Sequence, residues 1–168
     1  MQVTAYQLGS GYQSALARVE AIAAPAAQLV QKKLGEQIGH VEIAVTDTRG
    51  YRDGIVAAEQ RILGTRTRSR YDLPPSLAHT TLSPSGVLIL VDVQATSRPE
   101  LDKTVVHELV HAAQFGRRGV RDAVLAGIRN NHGIEKAGGW LKVQLENRKV
   151  AAHEREAIRL EFLARKLR

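Results

Sequence analysis

The sequence predicts a single α+β domain, on three observations. "VEIAVTD" alternates, placing Val41, Ile43 and Val45 on one face of a strand. "GVLILVD", bounded by Gly86 and Asp92, is a short continuous apolar run of the kind a buried strand shows. Before, between and after these two stretches, apolar residues recur at helical spacing. The order is helix, strand, helix, strand, helix, then further helices, in one domain over residues 1–168 with 1–40 as an N-terminal helical segment.

The elements follow in chain order. Tyr12 to Leu34 reads as helix, with Leu16, Val19, Ala23, Leu29 and Val30 as its apolar stripe and Pro25 as a kink or the first turn of a second helix. Asp47 to Gly50 reads as a turn and Ile55 to Leu63 as a short helix. "GTRTRSRYDLPPS" is a loop. After the apolar run, Ser97 and Glu100 have capping-box spacing, and Pro99 is tolerated in a first turn. That helix runs to about Phe115, where Gly116 ends it. Val120 to Ile128 is a short helix between Gly-rich loops. From Lys149 onward Val150, Ala157, Leu160, Ala164 and Leu167 mark a long helix.

Composition narrows the chemistry. The chain has 168 residues, 43% hydrophobic but only 4% aromatic, so the core is built from Ala, Val, Leu and Ile. It contains no Cys, which excludes disulfides, thiolate metal sites and a Cys nucleophile. Any metal must be held by His, Asp or Glu. No signal peptide is read at "MQVTAYQLGSGYQSALARVE", and no apolar run reaches the roughly 20 residues of a membrane span, so a soluble, cytoplasmic product is expected. The formal net charge is +7, with basic residues gathered at Arg61 to Arg70 and in the C-terminal third. A solvated surface explains such charge. Nucleic-acid binding would also use it, but no DNA-binding motif or stacking aromatics accompany it.

Chemistry enters at "TVVHELVHAAQFG", where His107, Glu108 and His111 spell H-E-x-x-H. On a helix, positions i and i+4 share a face, so both imidazoles can point at one metal ion. Glu108 lies next to them, within reach of a water on that metal. Zinc takes neutral imidazole nitrogens, a third protein ligand and an open position for water. By composition alone the triplet arises in such a chain about 1% of the time. Here it lies mid-helix, behind a capped start, with Leu101, Val105, Leu109 and Ala112 as an apolar back face and a buried strand just before it.

"VVHELVHAAQFG" resembles the active-site helix of the zincin metallopeptidases. The preceding "GVLILVD" stands where those enzymes often keep the edge strand that pairs with substrate. The resemblance implies a zincin-like core with a helical C-terminal part, Zn2+ as cofactor, a protein or peptide as substrate, and Glu108 as general base. For the third ligand the metzincin continuation fails, because Gln114 stands where its Gly should be and Arg117 where its third His should be. "AAHEREAIRLEFLA" resembles the E-x-x-A segment of small gluzincins. Aligned on that pattern, Glu154 is the ligand and Ala157 the small residue packed on the motif helix. The Asp or Asn that often follows that Ala is replaced by Ile158, so Glu156 stays an alternative, as does His132. Glu135 fits a thermolysin-like spacing only loosely.

Other groups have a plain reading beside a functional one. His132 and His153 are donors toward an oxyanion, or surface histidines. Asp92 and Asp102 orient a ligating imidazole, or terminate a strand and complement a helix dipole. Trp140 packs the loop region against the C-terminal helix. The function expected is that of a zinc metallopeptidase. The alternative is a binding or structural module, phage- or DNA-associated, with a vestigial or purely structural metal site.

Overall fold

The structure, a computed structural model, describes residues 1–66, 76–135 and 140–167, with the side chains of 140–147 outside the description. Residues 67–75 of the loop expected at "GTRTRSRYDLPPS", with Arg68 and Arg70 of the basic run, and the Trp140 side chain lie outside the described residues. What is described is a mixed α+β fold with one four-stranded sheet and five helices. The strands are β1 (Gln2–Ala5), β2 (Val41–Thr46), β3 (Ala78–Ser83) and β4 (Gly86–Asp92). The helices are α1 (Gln13–Leu34), α2 (Thr48–Leu63), α3 (Arg98–Gln114), α4 (Val120–Asn131) and α5 (Trp140–Leu160), and a 3-10 turn, Glu161–Lys166, follows α5.

Strand order is β1-β2-β4-β3. β1, β2 and β4 run parallel, and β3 runs antiparallel to β4. The parallel pairs require crossovers, and α1 and α2 supply them. Two expectations change here. The apolar run β4 lies inside the sheet, paired on both sides, which is why it is apolar throughout. The edge is β3, a Thr-rich segment. The N-terminal segment also begins with a strand, β1, and is not wholly helical.

The two faces of the sheet carry different loads. Val41, Ile43, Val45, Val87, Ile89 and Val91 join the main core with α1, α3, the end of α5 and the 3-10 turn. Ala44 and Leu90 face the other way, into a small cluster with Tyr51 and Ile55 of α2. α2 comes close because Gly50 and Gly54 lie one turn apart on it. A Cβ at Gly54 would stand 2.3 Å from Leu90 Cδ2. Asp47 caps α2, accepting from the Gly50 N–H, so the expected Asp47–Gly50 turn is the first turn of a longer helix.

α1 is one helix through Pro25. Pro25 sits on the solvent face, so water can bond the carbonyl one turn back that loses its donor. Its opposite face buries Val19, Ile22, Ala23, Ala26 and Val30. α3 buries Leu101, Val105, Leu109 and Ala112 as expected, together with Val106, Val110 and Ala113. Truncating a fully buried side chain such as Leu109 to Ala costs about 2–5 kcal/mol. The α3 start differs from a capping box: the Ser97 hydroxyl bonds the Glu100 carboxylate, not a backbone N–H. The helix expected from Lys149 to the end instead starts at Trp140 and gives way to the 3-10 turn at Glu161. Ala157 and Leu160 in the helix, and Ala164 and Leu167 in and after the turn, are buried as expected, whereas Val150 is 58% exposed. Among the described residues no helix is long and apolar enough to cross a membrane.

Candidate metal centre

α3, anchored by its apolar back face, turns His107 and His111 outward on successive turns. α5 packs against α3 and buries Ala157 completely. This small contact sets the distance at which Glu154, one turn earlier, reaches both imidazoles. His111 Nε2 lies 3.2 Å from Glu154 Oε1, His107 Nε2 lies 3.5 Å from Glu154 Oε2, and the two Nε2 atoms are 3.1 Å apart. Four-coordinate zinc with bonds near 2.0–2.1 Å spaces neighbouring donor atoms by roughly 3.3 Å. The two imidazoles meet different oxygens of Glu154, and one donor atom from each of the three residues lies within 4.8 Å of the others, so the set fits such an ion in its chemistry and lies close enough to reach it. Among the described residues His107, His111 and Glu154 are the one group of three that could hold a metal.

Each imidazole is held from behind. His107 Nδ1 lies 3.0 Å from Glu161 Oε1, and His111 Nδ1 lies 2.8 Å from Gln114 Oε1. An ionised carboxylate only accepts, so His107 carries its proton on Nδ1 and offers the Nε2 lone pair to the centre. Metal-ligating histidines are commonly oriented by such a partner. Electrostatics agree with the geometry. The bond to His111 holds the Glu154 carboxyl below its ordinary range, against some burial. Burial pushes His111 down, but its bond to Glu154 and the charge of Glu108 outweigh this and raise it.

Glu108 takes no part in the donor set. Its side chain is held by β3: Thr80 Oγ1 donates to Glu108 Oε2 at 2.6 Å and also approaches the Glu108 carbonyl at 3.2 Å. Glu108 is 7% exposed. His79, next to Thr80, is pushed below its ordinary value by burial, with Glu108 and Glu59 countering in part.

The remaining sequence candidates turn elsewhere. Glu156 accepts from Gln114 Nε2 at 2.8 Å and pairs with Arg117 at 2.7 Å. His132 is bonded to Glu59 at 2.8 Å, away from the donor set. Glu135 pairs with Arg129. Asp102 is bonded by Arg18, and Asp92 accepts from the Gln94 and Ala95 N–H groups in the turn after β4. Neither aspartate orients an imidazole. Burial and the charge of Arg117 push the His153 imidazole down, while its carbonyl accepts from Gln114.

Three contributors escaped the sequence reading: Glu161, Gln114 and Thr80. Gln114 had a signal, since it lies three residues after His111 on the same helix. Glu161 lies two turns beyond Glu154, also at helical spacing. Thr80 had none, because its contact depends on which strand lies at the edge. No protein-family model, no curated protein and no solved structure matches the chain.

Proposed function

We propose that the chain is a zinc-dependent peptidase with a zincin-like core, in which His107, His111 and Glu154 hold the metal and Glu108 is the general base. One observation carries this reading. Two imidazole Nε2 atoms and a carboxylate oxygen converge within 4.8 Å of one another, and a carboxylate that is not part of that group stands beside them on the same helix. A bound zinc ion supplies Lewis acidity toward a carbonyl oxygen and toward water.

The chain's own residues do the rest. Glu108 takes a proton from the attacking water and delivers it to the leaving amine. The Thr80 hydroxyl keeps one oxygen of that carboxylate fixed, leaving the other for the proton. The β3 register supports a place for the substrate. The Asp92 N–H donates to the Leu77 carbonyl, so odd-numbered residues of β3 bond β4, and the backbone groups of Ala78, Thr80 and Leu82 point away from it. An extended peptide bonded along that edge would run past Thr80 and Glu108.

The test is cleavage of a broad peptide library read by mass spectrometry, alongside zinc content after gentle purification. Wild type is expected to hold one zinc per chain and to cut. Glu108→Gln should keep its zinc and melting temperature and lose about 10²-fold or more in turnover. A wild type that holds zinc and cuts nothing makes the site structural, and the binding-module reading replaces this one. A protein that takes up no zinc ends the peptidase reading and leaves only the module with a vestigial site.

A further inference from the structure

We propose that Gln114 is a positioning residue for the metal centre: its amide, oriented by Glu156 and the His153 carbonyl, fixes which nitrogen of His111 carries the proton. This rests on the metal reading above and assigns a role to a side chain outside the H-E-x-x-H pattern.

Hydrogen-bond directions carry the inference. Gln114 is 1% exposed, so its amide must find its partners inside the protein. One end lies 2.8 Å from Glu156 Oε2 and 3.1 Å from the His153 carbonyl oxygen. A carbonyl oxygen only accepts. Glu156 is a carboxylate held by the Arg117 guanidinium at 2.7 Å, and it too only accepts. The end facing them must therefore be the NH2 group, which donates to both. A flipped amide would set its oxygen against two acceptor oxygens in a buried place. The other end, Oε1, is then left facing His111 Nδ1 at 2.8 Å. An amide oxygen accepts, so Nδ1 must carry the hydrogen. Nε2 faces the Glu154 carboxylate at 3.2 Å and His107 Nε2 at 3.1 Å, so any hydrogen it carries in the metal-free protein is the one a metal would displace, while Gln114 keeps the proton on Nδ1.

The chain of bonds continues outward. Arg117 also forms a two-pronged contact with Glu36, just past the end of α1, at 2.9–3.1 Å. The amide direction is thus fixed by charged groups from α5, from the turn after α3, and from the α1–β2 connection. His107 reaches the same tautomer by a simpler route, a direct bond to Glu161. His111 has an uncharged amide there, which must be told which way to face. Glu156 belongs to this machinery, which gives it a part to play without being a ligand.

Two measurements on the full chain test the proposal. Zinc affinity is read by competition with a chromophoric chelator. Independently, ring-nitrogen NMR of His111 in zinc-free protein, at alkaline pH, reports the tautomer directly. Gln114→Leu should weaken zinc by about 10–100-fold, the range for residues that orient a ligand, and should move His111 away from a pure Nδ1–H tautomer. The exchange variant Gln114→Glu with Glu156→Gln transposes acceptor and donor. The carboxylate now at position 114 would accept from His111. The amide now at position 156 would donate to that carboxylate while its oxygen accepts from Arg117. Because the carboxylate at position 114 leaves the His153 carbonyl without its donor, the exchange should recover zinc affinity in part, well above Gln114→Leu, and restore the hydrogen on His111 Nδ1. If Gln114→Leu folds and leaves both readouts unchanged, or if the exchange variant restores neither, the proposal is overturned. Should Gln114→Leu not fold, the exchange variant decides alone. If wild type binds no zinc, the metal reading fails, while the NMR readout still decides the role of Gln114.

Discussion

Two histidine–glutamate clusters in this chain are built from the same groups and behave differently. His132 and Glu59 join α4 to α2 at 2.8 Å, with side chains 0% and 7% exposed. His107, His111 and Glu154 meet at similar distances, but the Glu154 side chain is 49% exposed. The first is a sealed cross-link in which one ring nitrogen meets one carboxylate oxygen. In the second the Nδ1 atoms of both histidines turn to Glu161 and Gln114, the Nε2 atoms face Glu154, and the group opens to solvent. Residue type and proximity therefore do not make a metal site. The direction of the hydrogen bonds behind the donors, and an opening in front of them, do.

Substitutions sharpen that contrast, and the largest effect is expected at Glu154. Glu154→Ala should weaken zinc by more than about 10²-fold, beyond the range for residues that only orient a ligand, whereas Glu156→Ala should cost about 10-fold by loosening Gln114. Chelator competition on both variants checks this, and the reverse ranking would move the ligand to Glu156. Next comes the sealed pair. His132→Ala leaves Glu59 short of a partner beside a new cavity, so chemical denaturation should show a loss of about 2–4 kcal/mol. Zinc affinity of the folded variant should not move, and a parallel loss of zinc would mean that the two clusters are one.

Thr80→Val is a smaller perturbation. It removes the hydroxyl that holds Glu108 and keeps the side-chain shape. Turnover should fall by about 10-fold with zinc content intact, within the range for a general base that has lost its orientation. The smallest effect concerns His79, which burial pushes below its ordinary 6.5 against the charges of Glu108 and Glu59. An unfolded chain takes up this proton as pH falls through 6.5, while the folded protein resists until its lower value is reached. The His79 contribution is thus fully favourable above 6.5 and is lost on acidification below it. Stability profiles of wild type and His79→Gln should diverge only in that acid window.

How much of this was legible depended on how local each signal is. The motif helix, its buried back face and both histidines follow from spacing within one helix. Glu154 came only from the resemblance of "AAHEREAIRLEFLA" to the E-x-x-A segment of small gluzincins, with Glu156 and His132 as alternatives. β4 announced itself as buried, but its neighbours did not, because strand order is not written in any one strand. β1 is only four residues with a burial pattern too mixed to show alternation, and β3 is polar in sequence although four of its six residues are buried. Glu161 and Gln114 lay at helical spacing from candidate site residues, yet a spacing does not say which way an amide faces. That required the carbonyl of His153 and the Arg117 contact, both long-range.

The outer edge of β3, which pairs with no strand among the described residues, has a further consequence for how the protein behaves in concentrated solution. Backbone groups that can receive an extended peptide can receive any extended chain, including the same strand of another molecule. β3 is six residues long, so such pairing would be weak and reversible. It would also occupy the backbone of Thr80, beside Glu108. Self-association and substrate would then compete for one set of hydrogen bonds. Crowding the protein should therefore lower activity per molecule, and dilution should restore it.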